Sequence, residues 1–159
     1  MNYLRCLLFI LLIAGISINC SAQRKKEQRR QNIKKVLLTG RSYIGTPYKW
    51  GGTNENGIDC SGLIQNSYRS IGIHLPRTAK EQSKIGKKRG WKSIHEGDLV
   101  YFKFKKKGSK WFHSGMITHV DKDKILFLHA SSSSGVMESD LLNDYYRKNV
   151  KNFRRVIKK

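Results

Sequence analysis

Acidic side chains are scarce in this chain: 11 stand against 32 lysines and arginines, a net charge of +21 over 159 residues. That imbalance points to an anionic partner: nucleic acid, anionic lipid head groups or an acidic wall polymer. Cysteine is scarcer still. Cys6 and Cys20 fall within or at the end of an N-terminal leader, which leaves Cys60 as the one thiol of the folded body. A single thiol excludes an internal disulfide framework. The absence of paired-cysteine spacing also argues against a zinc site, although Cys60 with two histidines would supply ligand types. No metal or other cofactor is expected. No apolar run reaches the roughly 20 residues that a membrane span requires, and no segment repeats.

The longest apolar run, Cys6 to Ile18, follows Arg5 and precedes small residues. This is the plan of an export signal. Two ends fit it: processing after Ala22, or lipid attachment at Cys20 in an imperfect lipobox. Residues 1–22 are therefore read as a signal peptide, or as a lipoprotein signal ending before Cys20. Residues 23–32 are read as a basic tether, and residues 33–159 as one domain. The tether opens a stretch, residues 24–35, with seven basic side chains against Glu27. Removing the leader leaves about 137 residues, enough for one core. Export also removes the chain from cytoplasmic nucleic acid and places it in the cell envelope or outside it.

The body opens with Ile33, Val36, Leu37, Gly40, Tyr43 and Ile44 at helical spacing, and Gly45 and Pro47 end that helix. A second helix starts at Cys60, with Asp59 as its N-cap, and runs to about Ser70. Thr78 and Glu81 form a capping box at the start of a short third helix. Strands are expected over Leu99–Phe104, His113–Val120, Ile125–Ala130, Val136–Glu138 and Phe153–Ile157. Ser139 is read as the cap of a helical piece with Leu141 and Tyr145. Helices first and strands after give an α+β domain with an antiparallel sheet.

Cys60 in the first turn of its helix is placed where free N–H groups and the helix dipole favour thiolate, the nucleophilic form. A base is needed. His74 and His95 lie in turns, and His119 lies near a hairpin turn. His113 and His129 lie on adjacent strands. With Asp121-Lys122-Asp123 as a three-residue loop, His129 falls opposite Gly115 and diagonal to His113, within reach of it. An even loop would put the two histidines on opposite faces.

Six segments in order resemble a family: Gly45-Thr46-Pro47-Tyr48-Lys49-Trp50-Gly51-Gly52, Asp59-Cys60-Ser61-Gly62-Leu63, Leu75-Pro76-Arg77-Thr78-Ala79 with Gln82, Glu96-Gly97-Asp98-Leu99-Val100-Tyr101-Phe102, His113-Ser114-Gly115-Met116-Ile117, and Leu128-His129-Ala130-Ser131. They resemble the NlpC-type peptidoglycan endopeptidases, papain-like cysteine peptidases of bacterial envelopes. The resemblance implies a papain-like fold, with Cys60 as nucleophile, His113 as base and His129 as the orienting third residue. It implies that Tyr48 serves the oxyanion site or the substrate, that Asp59 and Ser61 contact the stem peptide, and that Arg77 and Thr78 line the cleft. The implied partner is peptidoglycan, cut between γ-linked D-glutamate and a diamino acid by a monomer, with membrane anchoring through Cys20 if that residue carries lipid. The five lysines between Lys103 and Lys110 depart from the family pattern. An amidase or acyltransferase on the same fold, or a non-catalytic basic wall-binding protein, is the alternative.

Overall fold

The computed structural model describes the backbone of residues 2–106 and 109–158 and the side chains of residues 21–105 and 110–158. The Cys20 side chain and the tip at Lys107 and Gly108 lie outside the described residues. In chain order the elements are α1 (Asn2–Arg41), β1 (Thr53–Asn54), β2 (Gly57–Ile58), α2 (Cys60–Arg69), α3 (Ala79–Gln82) and β3 (Lys87–Arg89). They continue with β4 (Leu99–Lys106), β5 (Ser109–Val120), β6 (Ile125–Ser131), β7 (Gly135–Asp140), α4 (Asp144–Arg147) and β8 (Val150–Arg155). The residues read as a basic tether are helical and belong to α1, which ends at Arg41 rather than Ile44. No helix among the described residues is long and apolar enough to cross a membrane.

Strands β3 to β8 form one antiparallel sheet in the order β3-β8-β4-β5-β6-β7. Alternation along the strands gives the sheet two different faces. On one face Leu99, Tyr101, Met116, Leu128 and Ala130 pack with Val36 and Leu37 of α1 and Leu63, Ile64 and Tyr68 of α2. On the other, Val100, Phe102, Phe104, Ile117, Phe127 and Phe153 form a second, aromatic-rich cluster. Between the helices and the first face the fit is tight: a Cβ on Gly40 would sit 2.7 Å from the Met116 side chain. A buried pair, Arg155 with Asp98 at 2.6 Å, fixes the end of β8 to the turn before β4. The Tyr68 hydroxyl donates to the Gly97 carbonyl in the same region.

Two expectations needed correction. The β5–β6 hairpin loop is even, Asp121 to Lys124, closed by Asp121 N–H donating to Lys124 O at 3.0 Å. Left alone, that loop would send His113 and His129 to opposite faces. A β-bulge between Ile117 and His119 adds one residue to β5 and reverses the parity. The register past the bulge, Ile117 with Phe127 and Met116 with Leu128, brings His129 opposite Gly115. Second, Ser139 caps no helix. It lies in β7 facing Phe127, and α4 is capped by Asn143, whose side chain accepts from Tyr145 N–H. Lys87–Arg89 pair with β8 at the sheet edge.

Candidate active site

Asp59 builds the start of α2. Its backbone is extended at the N-cap, and its Oδ1 accepts from Gly62 N–H at 2.7 Å and from Ser61 Oγ–H at 3.0 Å. Its Oδ2 accepts from Gly51 N–H at 3.0 Å, which ties the Tyr48–Gly52 turn to the helix end. Gly62 lets that turn close in: a Cβ there would lie 2.6 Å from the Gly52 carbonyl oxygen. A parallel bridge from Tyr48 to Ile58 holds the aromatic ring alongside. The local sequence thus presents Cys60 at the first helical position, with Tyr48 beside it.

Cys60 is buried, 8% exposed. The Ser114 hydroxyl, which is buried without a hydrogen-bond partner, the Ser114 N–H and the Ser61 N–H lie near its sulfur and favour its charged form. Burial nevertheless pushes the thiol above its ordinary range, and those three donors only oppose it. Burial thus works against the stabilisation of a thiolate expected at the helix end.

Ser114 follows His113 on β5, and His113 lies against Phe102 and Phe104 on the aromatic face. His113 Nε2 and His129 Nδ1 are 3.0 Å apart, with the rings at 89°. The other nitrogen of His129 meets Ser139 Oγ at 2.9 Å. Phe127 stacks on the His129 ring at 4.7 Å, and Tyr146 meets it edge-on at 5.5 Å. Burial drives the His113 pKa down to about 3, with the neighbouring His129 adding to the effect and Asp59 opposing it. Burial alone takes His129 to about 4. Both rings are neutral at pH 7.

Cys60, His113 and His129 line one cleft of about 820 Å³, together with Tyr48, Asp59, Ser61, Arg77 and Thr78. All eight residues named from the sequence for this site are brought together. His119 is not; it pairs with Asp121 at the far hairpin turn. Asp59 meets the cleft indirectly. It is 6% exposed, and Arg77 covers it, with Nη1 at 2.9 Å from Oδ1 and Nη2 at 2.7 Å from Oδ2. Thr78 caps α3.

The sequence reading missed Ser114, Ser139 and an aromatic wall. Trp111 and Tyr145 both stack on Phe104, and both rings line the cleft. Alternation along β5 would have put Ser114 on the helix-facing side with Met116. Only tertiary packing brings α2 to it.

A buried thiol at a helix end, in a cleft that a hydrogen-bonded imidazole pair also lines, is equipped for acyl transfer. Among the described residues no group of three histidine, cysteine or acidic side chains is arranged to hold a metal. The NlpC/P60 family profile matches residues 45–155. The chain belongs to the NlpC/P60 family. Family members are cysteine-type endopeptidases with the papain-like fold. The chain is 35% identical to "Probable endopeptidase NlpC" of Escherichia coli over 95% of its own length and 98% of that protein's. It is 40% identical to the "Bifunctional muramidase/DL-endopeptidase CwlT" of Bacillus subtilis over 76% of its length, but spans only 36% of that protein. An NlpC/P60 family protein from Bacillus cereus superposes with a TM-score of 0.70 at 30% identity, covering 79% of this chain and 40% of the other.

Proposed function

We propose that this NlpC/P60 chain hydrolyses peptide bonds in the stem peptides of bacterial peptidoglycan, with Cys60 as nucleophile, His113 as base and acid, and His129 as the residue that orients His113. The observation that carries the reading is the cleft shared by the Cys60 thiol and the 3.0 Å His113–His129 pair. The names of its relatives supply the substrate class: a DL-endopeptidase in Bacillus subtilis and a murein DD-endopeptidase in Escherichia coli.

His129 occupies Nε2 of His113, so Nδ1 is the nitrogen left for the thiol. As sulfur attacks the carbonyl carbon, the thiol proton passes to Nδ1 and the carbonyl electrons move to oxygen. The N–H of Cys60, at the helix start, and the Tyr48 hydroxyl are the donors for that oxyanion. Collapse breaks the C–N bond, His113 returns the proton to the leaving amine, and a thioester remains. Water, deprotonated by His113, then cleaves the thioester and restores the thiol. A neutral resting pair fits this course, with charge appearing only as the proton moves.

The finer assignment, scission after γ-linked D-glutamate, rests on the resemblance of the motifs. Ser61 and Arg77 face the substrate there, and Asp59 acts through them. Export rests on Arg5 and the apolar run that follows it, with the mature chain either lipid-anchored at Cys20 or released after Ala22. Action on peptidoglycan agrees with a place in the envelope. Mass spectrometry of the mature N-terminus separates the two ends.

Digestion of purified peptidoglycan with mass analysis of the fragments tests the activity. New amino termini on the diamino acid are expected with the wild-type chain and not with Cys60→Ala. An active Cys60→Ala protein, or fragments cut in the glycan, would overturn the assignment.

A further inference from the structure

The imidazole pair does not end at His129. Across the β6–β7 ladder Ser139 faces Phe127 and His129 faces Met137, so Ser139 is the diagonal neighbour of His129 on the aromatic face. His113 is its diagonal neighbour on the other side, across β5. Two diagonal steps therefore join three strands: His113 Nε2 to His129 Nδ1 at 3.0 Å, and His129 Nε2 to Ser139 Oγ at 2.9 Å. Phe127 and Tyr146 clamp the central ring, which is 2% exposed. It cannot turn to another partner without unpacking both.

We infer that Ser139 is a positioning residue for the cleavage: its hydroxyl oxygen accepts from His129 Nε2–H and thereby keeps Nδ1 of His113 free to take the thiol proton. The inference rests on the reading of Cys60 and His113 given above. A neutral imidazole has one N–H and one bare nitrogen. If Nδ1 of His113 is the base, its hydrogen is on Nε2 and is donated to His129. His129 Nδ1 must then be bare, and its own hydrogen sits on Nε2, pointing at Ser139. When His113 gains the thiol proton, every donation keeps its direction. The reverse chain, from the Ser139 hydroxyl inward, would leave a hydrogen on His113 Nδ1 and no base. A Ser139→Ala protein strands a buried N–H, which costs more than stranding a bare nitrogen. His129 then moves its hydrogen to Nδ1, and the reverse chain wins.

The test combines nitrogen-15 NMR of the histidines with steady-state kinetics on a defined stem peptide. In the wild-type protein both His113 and His129 are expected as Nε2–H tautomers. In Ser139→Ala, His129 is expected to shift towards Nδ1–H. Its kcat is expected to fall by about 10- to 100-fold with KM little changed, the size of effect when an outer partner that orients a histidine is removed. Ser139→Thr, which keeps the hydroxyl, is expected to recover most of kcat. An Nδ1–H tautomer for His129 in the wild-type protein, or a folded Ser139→Ala protein with wild-type kcat, would overturn the inference. Activity surviving in Cys60→Ala would instead overturn the reading beneath it, and the tautomers, measured without substrate, keep the two failures apart.

Discussion

Arg77 grips Asp59 with both terminal nitrogens, at 2.9 and 2.7 Å. The same guanidinium reaches Ser61 Oγ at 2.9 Å. Three cleft residues are thus one unit, with the carboxylate buried and the arginine half-open to solvent. Burial pushes the Asp59 carboxyl up. Arg77, the Gly62 N–H and Ser61 more than offset it, so the group titrates below its usual range.

A carboxyl depressed in the folded state contributes stability above its unfolded pKa and loses it as pH falls through the folded value. Arg77→Gln removes the largest opposing effect. The variant is expected to lose about 1–3 kcal/mol at pH 7, since it leaves a buried charge short of partners. With the folded and unfolded Asp59 values then closer together, its melting temperature should also fall less on acidification than that of the wild type. Parallel melting curves from pH 7 to pH 3 check both expectations.

The histidines set a second acid dependence of known sign. His129 titrates at about 4 in the folded chain, against an ordinary value near 6.5. Between those values the unfolded chain binds the extra proton, so stability falls as pH drops from about 6.5 to about 4, by at most about 1.4 kcal/mol per pH unit for this residue. His113 shifts in the same direction, but it opens onto the cleft, where water restores part of its charge tolerance. His129→Asn should flatten this segment of the stability curve. The same depression keeps the base unprotonated in weak acid, so the acid limb of kcat/KM is expected below the ordinary histidine range.

Gly115 holds the space between the two histidine diagonals. A Cβ there would stand 2.6 Å from Phe127 Cδ2, and Phe127 is the ring stacked on His129. Gly115→Ala is expected to destabilise the fold by about 1–3 kcal/mol through overpacking and to lower kcat more than it raises KM. Chemical denaturation and steady-state kinetics read the two effects separately.

The Tyr48 hydroxyl is raised in pKa by burial first and then by Cys60 and Asp59, which places it within their fields. Tyr48→Phe keeps the ring and removes one oxyanion donor. A fall in kcat of about 10²–10³ is expected if the hydroxyl donates in the transition state, with the melting temperature nearly unchanged. A loss seen only in KM would assign the hydroxyl to substrate binding.

What the sequence determined by itself is local chemistry. Asp59 ahead of Cys60, Thr78 ahead of Glu81, and the run from Leu99 to Phe104 each carry their structural instruction within a few residues, because caps and strand alternation act at that range. The order of the motifs carried the family as well. The fold decided what depends on summed register and on contacts between distant residues. One extra residue at Thr118 reversed the parity of a whole strand, and no composition rule signals where a bulge will fall. Ser139 looked like a cap until β7 paired with β6. Burial works against the acidic thiol expected at the helix end, since the cost of desolvation is set by everything packed around the sulfur and not by its neighbours in the chain.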